Sequence, residues 1–324
     1  MIRCIGLGKN FDDFTAVADL SLDVPAGELL ALLGPNGAGK TTTVRMLSAI
    51  LAPTSGQAWL NGHDVVTEPE GVRRSLGMLT EQPGLYLRMT GLEYLEFYGR
   101  LYGLPDDHSR RRSRELFARF NMAGAEIRRL GESSKGRRQK VALIRAMLHD
   151  PAVLLLDEPT SAMDPHSAKL VRDAITELRN DQRTIILCTH NLAEAEMLAD
   201  RIAIINNGRI VAKGTVPELK TQLLGRPRLE VRVDRPLNGE VRDLDDLVTV
   251  EHTRADTITY RADNPDVANP QLVRRLGDLG LGVISLREVT QSLEEVYLRV
   301  VGAQEATQPV SDSVSQPEAD TLPS

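Results

Sequence analysis

Residues Gly34-Pro35-Asn36-Gly37-Ala38-Gly39-Lys40-Thr41 spell the phosphate-cradling pattern G-x-x-x-x-G-K-[ST]. Each residue type has a chemical reason to stand where it does. Glycines let the backbone turn in ways closed to other residues and bring successive N–H groups up to phosphate oxygens. The start of the next helix, which Thr42 continues, adds unpaired donors and a partial positive charge at the same point. Lys40 would place its ammonium on terminal phosphates, and the Thr41 hydroxyl would help hold Mg²⁺. The pattern therefore names its ligand, a nucleotide with its metal. Downstream, Leu154-Leu155-Leu156 runs into two carboxylates, Asp157 and Glu158. Asp157 would bind Mg²⁺ directly or through water, opposite Thr41. Glu158, beside the metal but free of it, is the candidate base that polarises an attacking water. An Asp-Glu pair alone after an apolar run is ordinarily a solvated strand end; the phosphate loop upstream is what makes it chemical.

Regular elements have to hold these groups. Glu28 to Leu33 is short, apolar and bounded by Gly27 and Gly34, so it reads as a buried strand, and Thr42 to Leu51 carries Val44, Leu47 and Leu51 at helical spacing. Two further buried-type strands, Ala152 to Leu156 and Thr184 to Cys188, flank a helical segment from Ser167 to Leu178. Arg201 to Ile205 and Arg209 to Ala212 form a hairpin around Asn206-Asn207-Gly208, and Thr215-Val216-Pro217-Glu218 opens a short helix with a capping box. Residues 1–220 thus read as one α/β unit. From Arg226 the pattern changes. Leu229 to Val233 and Thr257 to Tyr260 alternate like half-exposed strands, Gln271 to Leu279 is helix-like, and Gly282 to Leu286 is strand-like. Ser292-Leu293-Glu294-Glu295 opens a last amphipathic helix, which makes 226–302 a small α+β accessory domain. Residues 303–324 contain no Lys or Arg and many Ser, Pro, Thr and Gln, a composition expected to be disordered.

Composition narrows the function classes. With 324 residues the chain can hold one large and one small domain. A net charge of −6 argues against a general nucleic-acid-binding surface. No apolar run approaches the roughly 20 residues of a membrane helix, so a membrane role requires a partner. Lys9, Asp12, Asp13 and Asp19 interrupt any signal-peptide core. Cys4 and Cys188 lack metal or redox spacing and read as reduced thiols in a cytosol.

The order of motifs resembles the ATP-binding cassette family, the ATPases of ABC transporters. Ser134-Lys135-Gly136-Arg137-Arg138-Gln139 stands where that family carries its signature, and a helix-like run from Val141 to His149 follows it. Pro159-Thr160-Ser161-Ala162-Met163-Asp164 is similar to the family's next loop. His190 matches the histidine that senses the terminal phosphate, and Phe11 falls where the family stacks an aromatic on adenine. Singly, His190 would be a hydrogen-bonded structural histidine, Phe11 a core residue and Ser134 a helix cap. The family's glutamine after Leu79 is here Glu81 with Gln82 beside it, which leaves open which one reaches the metal and water. Lys135 replaces the signature's first glycine. These departures, with Glu81 to Tyr86, Met89 to Tyr94 and Ser292 to Leu298, resemble the exporter ATPases of drug-resistance and sodium-efflux systems.

The resemblance implies a P-loop NTPase of the ABC type with a helical subdomain. It also implies ATP and Mg²⁺ as cofactors and hydrolysis at Glu158. Two copies would form a homodimer, each nucleotide lying between one chain's Lys40 loop and the other chain's Ser134–Gly136 segment. An integral membrane permease would hold the chain on the inner face of the cell membrane and feel the motion near residues 82–103. Leu92 to Tyr102, with Tyr94, Phe97, Tyr98 and Tyr102, could dock it or face the core. Arg110, Arg111, Arg112 and Arg114 read as a solvated helix face. A soluble mechanochemical ATPase on ribosomes or DNA is the alternative. It normally has two cassettes or a long coiled coil between loop and signature, and this chain has neither.

Overall fold

A computed structural model describes residues 1–161, 163–226, 228–237, 244, 246–289 and 292–305. In chain order it opens with β1 (Ile2–Phe11), β2 (Phe14–Val24), β3 (Leu29–Leu33) and α1 (Lys40–Leu47). Next come β4 (Ser55–Leu60), β5 (His63–Asp64), α2 (Pro69–Ser75) and β6 (Leu76–Leu79). Three helices follow, α3 (Gly91–Leu101), α4 (Asp106–Arg119) and α5 (Lys135–Met147). The chain then runs through β7 (Val153–Asp157), α6 (Pro165–Asn180), β8 (Thr184–Thr189), α7 (Leu192–Leu198), β9 (Arg201–Asn206), β10 (Arg209–Gly214) and α8 (Val216–Leu224). It ends with β11 (Arg228–Val233), β12 (Thr249–Arg254), β13 (Thr257–Arg261), α9 (Pro265–Asp278), β14 (Val283–Val289) and α10 (Leu293–Glu305).

The central sheet has the order β10-β9-β3-β8-β7-β6, with only β10 antiparallel to its neighbour. Its middle strands are buried throughout, as their continuous apolar runs require of a sheet covered on both faces. Alternate side chains serve opposite layers. Leu29, Leu154, Leu156, Ile185 and Leu187 pack under α3, α4, α5 and α6. Leu30, Leu32, Leu155, Ile186 and Cys188 pack with α1 and a second sheet, β2-β1-β4-β5. In register, Leu33 pairs with Thr189 and Asp157 with Cys188. The loop after β3, the end of β7 and the end of β8 therefore emerge side by side at the carboxyl edge, the usual ligand edge of such sheets.

Several elements differ from the sequence expectation. Helix α1 stops at Leu47, because Ala49 turns into the left-handed region (φ 53°) and the Ile50 and Leu51 amides both donate to the Arg45 carbonyl. Helix α9 begins at Pro265, with Asn264 as its cap, and continues through Pro270, which on sequence alone reads as a break. Strand β12 and the second sheet had no counterpart in the sequence reading.

The accessory sheet β12-β13-β11-β14 has its own core, built around Val231, Ile258, Tyr260, Leu272 and Leu276. Helix α10 does not join it. Leu293 and Val296 are buried with Ala31, Leu33, Ala195 and Leu219, so α10 packs on α7 and α8. The helix runs through Glu305, into the span expected as tail; the rest of that tail, 306–324, lies outside the described residues, as does Ala162 of the loop after Glu158. On α3, Tyr94 is fully buried and Tyr98 packs against the same core, while Tyr102 stacks on His149 at 4.0 Å. Arg110 pairs with Glu96, Arg112 with Asp150, and Arg111 with Glu115, a solvated face held by acids.

Candidate nucleotide site

The Lys40 loop is shaped by contacts that only glycine permits. A side chain on Gly34 would collide with the Ile205 carbonyl. On Gly39, whose φ is 104°, it would come within 2.6 Å of the Ala16 carbonyl. Ala38 is buried and its carbonyl accepts from the Gly208 amide, which ties the loop to the β9–β10 turn. Lys40 is only 5% exposed. Its Nζ donates to the Gly34 carbonyl at 2.8 Å and the Pro35 carbonyl at 3.1 Å, and lies 3.5 Å from Glu158 Oε1. One ammonium thus gathers its own loop and the end of β7.

Thr41 Oγ1 donates to Asp157 Oδ2 at 2.9 Å. Burial pushes the Asp157 carboxyl above the usual range; the Thr41 hydroxyl pulls it back, and the neighbouring Glu158 charge pushes the same way as burial. Asp157 Oδ1 is buried without a hydrogen-bond partner. A hard cation would satisfy it, so the pair Thr41–Asp157 fits Mg²⁺. Among the described residues no cluster of three or more His, Cys, Asp and Glu could hold a metal by itself.

Glu158 sits in the left-handed region, φ 48°, and its amide donates to the Cys188 carbonyl at 2.9 Å. The turn aims its side chain back over the loop, where Glu158 Oε2 meets His190 Nδ1 at 2.9 Å. A cleft of about 320 Å³ results. Of the residues singled out from sequence, Asn36, Gly37, Gly39, Lys40, Thr41, Thr42, Glu81, Glu158 and His190 line it. A glycine loop, an ammonium, the carboxylates of Glu81 and Glu158 and a histidine surround one cavity, with Asp157 bonded to the Thr41 that lines it. Together they can bind a phosphate chain with its metal and activate water beside it.

Comparison with known proteins agrees with this chemistry. Residues 17–161 match the family model described as ABC transporter, and residues 214–301 match the C-terminal domain of DrrA1-3-like ATP-binding proteins. The chain is 37% identical to the daunorubicin/doxorubicin resistance ATP-binding protein DrrA of Streptomyces peucetius, over 93% of this chain and 92% of that one. The chain belongs to the ATP-binding proteins of ABC transporters. It is also 39% identical to the ABC transporter ATP-binding protein NatA of Bacillus subtilis (strain 168), over 68% of this chain and 91% of that one. A solved ATP-binding subunit of an ABC transporter superposes with a TM-score of 0.63 at 31% identity, covering 69% of this chain and 94% of that one.

As an ABC ATPase the chain hydrolyses ATP, and the remaining expected site residues can be placed on that footing. Gln82 lines a neighbouring cleft of about 700 Å³ with Lys135 and Gln139, whereas Glu81 borders both clefts. Phe11 does not line the Lys40 cleft. It pairs across the β1–β2 turn with Phe14, which does, and Lys9 Nζ lies 5.2 Å from the Phe11 ring centre. Phe14 and Ala16 were missed from sequence, and Ser161 was read only as part of the loop after Glu158; the Phe-Asp-Asp-Phe spacing was the available signal for Phe14.

Ser134 caps α5, its Oγ accepting from the Arg137 amide at 3.4 Å. A Cβ on Gly136 would come within 2.6 Å of the Ser167 Cβ, so Gly136 lets α5 pack closely on α6. Neither lines the Lys40 cleft of the same chain. Lys135 Nζ donates to the Ser161 carbonyl at 2.9 Å, linking the signature to the loop after Glu158.

Proposed function

We propose that this ABC ATPase powers a separate integral membrane permease that exports its cargo, with two copies of the chain sharing their nucleotides. The observation that carries the reading is the meeting of Lys40, Thr41, Asp157, Glu158 and His190 from three adjacent strand ends. The amides of residues 36–41 and the Lys40 ammonium bind the phosphates. Thr41 and Asp157 would hold Mg²⁺, and the ion when bound would supply charge neutralisation to the phosphate oxygens. Glu158 takes a proton from the attacking water as the bond to the terminal phosphorus forms, and ADP leaves with its oxygen. His190 holds Glu158 by one oxygen and faces the terminal phosphate, while Glu81 and Phe14, rather than Phe11, border the same cleft.

Ser134 and Gly136 do not line the Lys40 cleft of their own chain, which supports their serving the nucleotide of a second copy. Export is supported by the match of residues 214–301 and by relatives whose names speak of drug resistance. Among the described residues no helix is long and apolar enough to cross a membrane, so the permease would anchor the chain on the inner face of the membrane.

The test is affinity capture of the tagged chain from detergent-solubilised host membranes, with partners identified by mass spectrometry and ATP turnover measured on the captured complex. A stoichiometric multi-span membrane protein that stimulates turnover supports the reading. Ribosomal or DNA-bound partners without one overturn the transport role. A Glu158→Gln variant should form ATP-dependent dimers by light scattering, and its absence from dimers would count against the shared site.

A further inference from the structure

Glu158 and His190 stand on separate loops, one after β7 and one after β8, and a third carboxylate joins those loops from beneath. Glu194, in the first turn of α7, is 2% exposed. Its Oε1 accepts from Thr160 Oγ1 at 2.8 Å and its Oε2 from Thr189 Oγ1 at 2.7 Å. Thr160 is two residues beyond Glu158, and Thr189 immediately precedes His190. The carboxylate is itself well placed: the Glu194 amide donates to Asn191 Oδ1 at 3.2 Å, and the Asn191 amide donates to Thr189 Oγ1 at 3.1 Å. Burial pushes the Glu194 carboxyl above the usual range, and the Thr189 and Thr160 hydroxyls work against that push. Two hydroxyl donors, one on each oxygen, suit a group that accepts at both.

The backbone around Glu158 needs such a tie. A glutamate in the left-handed region is strained, and such a conformation persists only where its surroundings over-determine it. The Glu158 amide bond to the Cys188 carbonyl fixes one side of the turn. Thr160–Glu194–Thr189 fixes the other, and it does so against Thr189, the last residue of β8 before His190.

We infer that Glu194 is a positioning residue for hydrolysis, bridging Thr160 and Thr189 so that Glu158 and His190 keep their separation. The inference rests on Glu158 acting as the base. Lys40 bonds to the Gly34 and Pro35 carbonyls and Thr41 to Asp157. The loop meets the bridge through the Gly34 amide, which donates to the Thr189 carbonyl at 3.3 Å. That backbone bond does not involve the Glu194 side chain, so nucleotide binding should be independent of the bridge.

The experiment compares Glu194→Ala, Glu194→Gln, Thr160→Val and Thr189→Val by steady-state hydrolysis, binding of a fluorescent ATP analogue and thermal melting. Loss of an outer positioning group lowers activity about 10–100-fold, the range expected for Glu194→Ala in kcat, with KM and analogue affinity unchanged. Glu194→Gln should recover most of kcat, since an amide can accept from one threonine and donate to the other. Thr160→Val should lower kcat in the parent and have no further effect in Glu194→Ala.

Parental kcat in Glu194→Ala overturns the inference, as does a fall in kcat that tracks lost analogue affinity. If Glu194→Ala does not fold, parental kcat in both threonine variants overturns it. Glu158→Gln is measured alongside: parental turnover there removes the base assignment, while the threonine–glutamate cycle still reports whether the bridge matters.

Discussion

His190 Nδ1 lies 2.9 Å from Glu158 Oε2, although the two residues are 32 positions apart in the chain. The pair exists because β7 and β8 are parallel neighbours whose ends coincide. General acid–base groups contribute about 10²–10⁴-fold to rate. Glu158→Gln should lose kcat in that range while ATP affinity stays near that of the parent. Phosphate release with excess ATP and equilibrium binding separate the two; parental turnover would eliminate Glu158 as base.

Lys40 makes two carbonyl contacts and one carboxylate contact from a buried position, so its charge is already concentrated where phosphates would lie. A charge-assisted hydrogen bond contributes about 1.5–3 kcal/mol, tenfold to hundredfold in affinity. Lys40→Ala should weaken ADP and ATP binding by that factor, measured by calorimetry. Equal affinity in the variant would refute phosphate contact by Lys40.

Asp157 offers a pH test. Burial and the Glu158 charge raise its carboxyl above the unfolded value of 3.8, so the folded chain holds the proton more tightly than the unfolded one. The stabilising contribution is therefore complete below the unfolded value and lost as pH rises through the raised folded value. At neutral pH without nucleotide, Asp157→Asn removes that burden and keeps an acceptor for Thr41. Its Tm should exceed the parent's by a few degrees, and the gap should close as pH falls through the same window. Hydrolysis in the variant should be lost even though it is the more stable protein. A Tm gap that widens in acid would contradict this account.

Helix α10 closes a core it shares with α7 and α8. Leu293 is 1% exposed there, and Leu→Ala in such a site costs about 2–5 kcal/mol. Leu293→Ala should lower the urea midpoint of the N-terminal unit, followed by fluorescence of its single tryptophan, Trp59. If only the accessory domain were destabilised, the docking of α10 would be wrong.

Glu81 borders the Lys40 cleft and Gln82 borders the neighbouring one. Glu81→Ala should therefore reduce kcat about tenfold or more, and Gln82→Ala by much less. Mg²⁺ titrations of hydrolysis in the two variants decide between them, the reverse ranking giving the role to Gln82.

The phosphate loop, the Asp157–Glu158 pair and His190 were legible in the chain because local chemistry and strand patterning coincide at each. Glycines at Gly34 and Gly39, an apolar run into two acids, and a buried strand ending near a histidine each carry their own signal. Glu194 carried none. Its role depends on Thr160 and Thr189, which approach it from different loops, and no period or spacing in the chain encodes that meeting. Phe14 was missed for a similar reason: a tight β1–β2 turn decides which of two nearby aromatics faces the cleft.

By itself, then, the sequence determined the ligand class, the family and most of the strands, since glycine geometry, apolar runs and turn residues act over a few positions. Only the tertiary structure decided that Glu81 rather than Gln82 borders the cleft. It alone docked α10 on the first domain instead of the accessory sheet, and brought a third carboxylate beneath Glu158 and His190. The physical reason is common to all three. Burial and hydrogen-bond satisfaction are settled between distant segments, and they exist only once the parallel strands have aligned their ends.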